Sequence, residues 1–150
     1  MQVRMSAASA LRMFEGLERR LVQHVIEAET LNLEDARAML VQASSGTATE
    51  ADLRREDHPY ARRHGTARRD PSLINARSGR FRRAWRSRRP QRAGRGRVVS
   101  RVRNFDPKAR YMFGTKLMLP RPIIARVARQ LAPVRRLRLR RAYWYTLTHP

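Results

Sequence analysis

The groups able to do chemistry in this 150-residue chain are four histidines, 12 carboxylates and 34 basic side chains. His58 and His64 stand six apart, with Glu56 and Asp57 close by. That is the nearest approach to a histidine–carboxylate metal set, and it is incomplete. The chain has no cysteine. A disulfide framework, a thiolate zinc site, an iron–sulfur cluster and a thiol nucleophile are therefore excluded. Asp70 and Asp106 are isolated, so they suit a turn and a cap better than paired acid–base work. His24 falls at the edge of a helical apolar face, and His149 near the end of the chain. No GxGxxG, P-loop or GxSxG motif occurs. Gly94-Arg95-Gly96 is too short for a nucleotide fingerprint and fits a hairpin tip. The expectation is a protein that is not an enzyme and needs no cofactor or metal.

The arginines remain. Residues 77–103 hold Arg77, Arg80, Arg82, Arg83, Arg86, Arg88, Arg89, Arg92, Arg95, Arg97, Arg101 and Arg103. Such a stretch can cradle a phosphate backbone, without sequence preference and with strong salt dependence. It can equally be a solvated face or meet acidic protein. Arg86, Arg88, Arg89, Arg92, Arg95 and Arg97 are the candidates for contact with DNA or an acidic partner. Phe81 and Trp85 are interleaved and could stack on bases. As the bulky apolar residues of that stretch, they fit core anchors better.

Charge divides the chain. Residues 1–57 carry 7 Arg and 10 Asp+Glu, while residues 58–150 carry 27 Lys+Arg and two Asp. The halves are net −3 and +25, and the whole is +22. A compact state so charged repels itself and needs a polyanion, an acidic protein or a neighbouring subunit. Of the basic residues only Lys108 and Lys116 are lysine. Arginine suits bidentate phosphate and carboxylate contacts, but a GC-rich genome yields the same bias. No apolar run exceeds four residues, so no transmembrane helix is expected. The start lacks a signal-peptide core, and Glu15 and Glu18 argue against a transit peptide.

These groups must be positioned by a few elements. Leu11, Phe14, Leu17, Leu21, Val25 and Ala28 recur at helical spacing, which predicts a helix over roughly Ser9 to Glu29. Glu15 and Arg19 have the order of a helical ion pair. A second helix is predicted after Asn32 as N-cap, with Leu33, Ala36, Met39, Leu40 and Ala43 inward and Gly46 as its stop. Thr49 and Asp52 have capping-box spacing. Residues from His58 to Pro71 read as loop. Phe81 and Trp85 fit either a helical turn or a strand. Pro90 to Gly96 is a turn, and Val98 to Val102 a strand. Residues 85–102 then form a hairpin with a basic tip projecting from the sheet. Pro122 opens a helix with Ile123, Ile124, Val127, Ala128 and Leu131 inward, and Pro133 ends it. Leu137, Leu139, Tyr143, Tyr145 and Leu147 then share one parity, against Arg136, Arg138 and Arg140. That is a half-buried strand, and these residues are candidates for pairing between subunits. A helix continuing through Pro133 is the competing reading.

The expected fold class is α+β: a small antiparallel sheet with a long basic hairpin, packed by helices and preceded by an N-terminal helical segment. The expected organisation is an acidic helical segment (1–57), an α+β core (58–133) and a C-terminal strand extension (134–150).

Two stretches resemble a known family. They are Ser78-Gly79-Arg80-Phe81-Arg82-Arg83-Ala84-Trp85 and Tyr111-Met112-Phe113-Gly114-Thr115-Lys116-Leu117-Met118-Leu119-Pro120-Arg121-Pro122-Ile123-Ile124. They are similar to the (S/T)GxLRxS … YxxxxxFGTxxMxxRPFL pattern of tail-completion, neck and minor tail proteins of tailed phages. Residues 58–65 also look like a segment preceding that motif. The departures are Ile123-Ile124 for Phe-Leu, Ala84 for Ser, and Tyr111 unusually near Gly114. The resemblance implies a virion structural protein, located in the neck or head-proximal tail and in the host cytoplasm during assembly. It implies a homo-oligomeric ring, with portal or adaptor and tail proteins as partners and double-stranded DNA in the lumen. The rival is a free-standing, non-specific nucleic-acid-binding protein. The motif also reads as a strand–turn–helix joint: Gly114 supplies a positive φ, Thr115 bonds the turn, Met118 fills a gap, and Arg121 is held extended by Pro122.

Overall fold

Ser6 accepts the Ser9 backbone N–H at 3.2 Å and so caps a helix of 37 residues, α1 (Ala7–Ala43). The computed structural model describes residues 6–55, 74, 78–94, 96–112, 114–116 and 119–149. After α1 come α2 (Glu50–Arg55), α3 (Arg80–Arg83), β1 (Trp85–Arg92), β2 (Val98–Asn104), α4 (Ala109–Met112) and α5 (Ile123–Thr148). This is a small α+β fold with one two-stranded antiparallel sheet. His58, His64, Glu56, Asp57, Asp70, Arg77, Arg95 and Met118, and the expected loop from His58 to Pro71, lie outside the described residues.

α1 is one helix where two were expected. Asn32 does not cap; it is buried in mid-helix, and its Oδ1 accepts from Arg138 Nη1 at 3.0 Å. An asparagine competes with a helix by bonding its own backbone. Here α5 supplies the partner, so the helix continues. Leu33 and Leu40 face inward as expected, with Ala36, Met39 and Ala43 packed nearby. Leu11 and Phe14 do not: each is 61% exposed. Arg19 donates to the Glu15 backbone carbonyl, at 3.4 Å, in place of the expected carboxylate. Thr49 and Asp52 cap α2 reciprocally, as their spacing predicts.

The predicted hairpin is present, with Trp85 opposite Asn104 and Arg92 opposite Val98. Between Arg88 and Gln91 the register shifts, so Arg89 and Pro90 form a bulge. A proline without an N–H fits an unpaired bulge position. Phe81 and Trp85 divide the two readings: Phe81 sits in the helical turn α3 and Trp85 begins β1.

The C-terminal strand is overturned. Leu137, Leu139, Tyr143 and Tyr145 all lie in α5, which passes straight through Pro133. They form no strand and no strand pairing. The face of α5 turned to α1 carries Leu131, Arg135, Arg138, Ala142 and Thr146, at helical spacing. Arg and Thr on that face conceal the period of 3.6, and the exposed Leu and Tyr imitate a period of two. Pro122 stands one position before α5, as its cap residue.

Helix α1 is about 55 Å long at ~1.5 Å per residue and acts as the spine. α5 runs antiparallel to it: Ile123 and Val127 cluster with Leu40, while Thr146 Oγ1 lies 2.8 Å from His24 Nδ1. The hairpin runs the same way along α1. Arg37 Nε donates to the Trp85 carbonyl, Ser100 Oγ donates to Glu29, and Arg92 pairs with Glu18. The first turns of α1 extend past both.

Candidate nucleic-acid interface

The core lies where α1 ends. Leu40, Ile74, Trp85, Ile123 and Val127 are buried together, with Phe81, Val102 and Met112 packed against them. The Trp85 indole N–H donates to Ser44 Oγ at 2.9 Å, and its ring meets Phe81 edge to face at 5.9 Å. Hairpin and helices are thus fixed at one joint.

The described residues singled out by resemblance lie at or around that joint. Gly79 has φ +67° and precedes α3. Arg80, beside it, lies 3.6 Å from the buried carboxylate of Asp106. Asp106 Oδ1 also accepts the Lys108 N–H at 2.8 Å, the turn role its isolation predicted. Gly114 has φ +97°, and a Cβ there would sit 3.1 Å from Pro120 Cβ. It follows the helical turn α4 where a strand was expected. Arg121 is buried, and its N–H donates to the Met112 carbonyl at 2.9 Å. The Ser78 hydroxyl accepts the Arg80 N–H at 3.4 Å. Thr115 is half-buried and Pro122 exposed.

Three carboxylates of the acidic third pair with the basic part of the fold. Glu29 is 4% exposed; its carboxylate takes Arg135 Nε at 2.8 Å and Ser100 Oγ at 2.8 Å. Asp35 takes Arg138 Nη1 at 2.7 Å, and Glu18 takes Arg92. The arginines that α1 neutralises are Arg92, Arg135 and Arg138. Strand alternation sends the others outward. Along the outer face Arg86 stands opposite Arg103, and Arg88 opposite Arg101. Both pairs are exposed. Like charges directly across a ladder destabilise a sheet. Arg86 is anchored on the Arg83 and Trp85 carbonyls, which fixes the side chain without neutralising it. Among the described residues no carboxylate is within ion-pair distance of Arg88, Arg89, Arg101 or Arg103. Arg88, Arg89, Arg92 and Arg101 line a shallow concavity of about 190 Å³ with Gln91 and Val99.

The contact residues proposed from sequence are thus sorted. Arg86, Arg88 and Arg89 share the outer face; Arg97 is exposed beyond the strands; Arg92 is tied to Glu18; Arg95 lies outside the described residues. The tip does not stand clear of the fold, since Arg92 lies against α1. Arg101 and Arg103 complete the face. Their place in β2 was legible, but only the strand register sets them opposite Arg88 and Arg86. Trp85, 2% exposed, is a core residue and no stacking platform.

The two described histidines contact α5 side chains. His24 has Thr146 Oγ1 at 2.8 Å and the Tyr145 ring edge-on; His149 stacks on Tyr145. Among the described residues no cluster of three metal-ligating side chains occurs, and no helix is long and apolar enough to cross a membrane. No known family, curated protein or solved structure matches the chain.

Proposed function

We propose that this chain is a structural protein of a tailed-phage virion, a neck or head-proximal tail component. In this reading copies form a ring that joins head and tail, with portal or adaptor and tail proteins as neighbours, around the DNA channel. The observation that carries it is the convergence of the two resembling stretches. Phe81 and Trp85 of the first meet Met112 and Ile123 of the second in one core, although some 30 residues separate them. The matching residues serve as a hinge-like joint that hangs a charged hairpin on a long helix. Such a joint carries assembly and no catalysis. Exposed Leu11, Met13 and Phe14 on α1, with Tyr143, Trp144 and Leu147 on α5, supply apolar surface near one end for subunit contacts.

Negative-stain imaging tests it, on the purified protein and on virions carrying a tagged copy. Rings in solution and label at the head–tail junction are expected. Monomers in solution with no label in virions would overturn it. The outer arginine face favours a second reading, a free-standing nucleic-acid-binding protein, which that second result would leave standing.

A further inference from the structure

We infer that the outer face of the hairpin binds the sugar-phosphate backbone of duplex DNA, without reading sequence, through Arg86, Arg88, Arg89, Arg101 and Arg103. For its setting the inference rests on the neck-protein reading, where the duplex fills a channel.

Three observations lead to it. The two cross-strand arginine pairs oppose like charges, an arrangement that weakens the isolated sheet. The chain holds carboxylates near by, yet Glu18 and Glu29 are committed to Arg92 and Arg135 on the side facing α1. The outer charge is therefore left for an external anion. Neighbouring pairs are one i,i+2 step apart, ~7 Å along the strand, comparable with the separation of successive phosphates along a nucleic-acid strand. Guanidinium forks match phosphate oxygens bidentately.

The composition of the face selects the partner. Protein interfaces place aromatic and apolar anchors at their centre. Here the arginines surround only Gln91, Ala93 and Val99. Protein–DNA interfaces are far more positively charged than protein–protein ones. A single-strand platform needs exposed rings beside its charges. Trp85 and Phe81 are committed to the core. One exposed ring, Phe105 at 68%, stands two residues beyond Arg103. A lone ring at the foot of the ladder leaves the arginines to carry the binding.

Fluorescence anisotropy with a short mixed-sequence duplex, titrated across salt concentrations, tests this on the full chain. Each phosphate contact contributes about 0.9 to the slope of log K against log salt. The quadruple variant Arg86→Gln, Arg88→Gln, Arg101→Gln, Arg103→Gln should lower the slope magnitude by about 3–4 units, with the same loss on unrelated sequences. Removing like-charge pairs should leave its melting temperature unchanged or raised. A charge-matched control, Arg129→Gln, Arg136→Gln, Arg140→Gln, Arg141→Gln on α5, should retain most of the wild-type slope. Equal losses in the two variants would overturn the assignment, because binding would then follow net charge and not this face. Polyglutamate binding as tightly as the duplex, with the same sensitivity, would make the face an acidic-protein surface and overturn it. Phe105→Ala should leave duplex affinity unchanged; a loss would point to base stacking and overturn the backbone reading. Duplex binding by a protein absent from rings and virions would defeat the neck reading alone. Rings without localised duplex binding would defeat this one alone.

Discussion

Replacing Ser44 by alanine should uncouple the hairpin from the spine helix. Ser44 is 1% exposed and Trp85 2%. The indole N–H donates to Ser44 Oγ at 2.9 Å, and that hydroxyl donates to the Leu40 carbonyl at 2.7 Å. In Ser44→Ala the Leu40 carbonyl keeps the Ser44 backbone N–H, at 3.0 Å. The indole N–H keeps nothing and stays buried. An orphaned buried donor costs about 1–3 kcal/mol. For a chain of this size each kcal/mol moves the melting temperature about 2–4 °C, so a fall of about 4–8 °C is expected for a mid-range loss of about 2 kcal/mol. Urea denaturation followed by circular dichroism gives the free energy. Trp85 emission, in a Trp144→Phe background, should stay that of a buried ring and move, if at all, to the blue as the indole N–H loses its partner. Trp85→Phe removes the donor and some volume, yet Ser44 still has Leu40 to bond. The double variant should therefore recover about 1–2 kcal/mol of the summed single losses. A Ser44→Ala protein within about 0.5 kcal/mol of wild type, at unchanged m, would refute the reasoning, because among the described residues the indole N–H bonds Ser44 Oγ and no other acceptor.

Other perturbations separate the remaining contacts. Arg135→Ala leaves the buried Glu29 carboxylate with Ser100 and Asn32; because Arg135 is itself half-exposed, a loss of about 1–3 kcal/mol is expected, read by thermal melting. Pro133→Ala should raise stability by up to about 3 kcal/mol, since Pro133 lies inside a helix and withholds an N–H; a loss of stability would count against a continuous α5. Gly114→Ala should lower the melting temperature more than Gly94→Ala does. Both have positive φ, but only at Gly114 does a Cβ meet a neighbour, Pro120 at 3.1 Å. Thr146→Val removes the hydroxyl beside His24 Nδ1 and should cost about 1 kcal/mol.

Much of the fold was legible because local chemistry agreed with it. The hairpin follows from a β-branched run, a proline–glycine turn and a strand on each side. The α2 cap follows from Thr49 and Asp52, and the positive φ at Gly114 from the glycine of the expected turn. The acidic and basic halves are complementary in charge, and the fold joins them within the chain through Glu18–Arg92, Glu29–Arg135 and Asp35–Arg138. The candidate site was legible as a basic stretch and no further. Which arginines are neutralised depends on which side of β1 faces α1, and which stand opposite depends on register. Both are set by Trp85 seating on Ser44 and by the bulge at Arg89 and Pro90.

Two decisions belonged to tertiary structure alone. Asn32 looks like a cap, and Pro133 like a stop, because in an isolated chain each disfavours the helix around it. The antiparallel seam between α1 and α5 reverses both. Arg138 takes up the Asn32 amide oxygen, and the contacts of Leu131, Arg135, Ala142 and Thr146 outweigh a single withheld N–H. A seam of arginine, asparagine, glutamate and threonine has no apolar period for a sequence to display. Its pattern exists only as pairs of residues about one hundred positions apart, brought together by the fold.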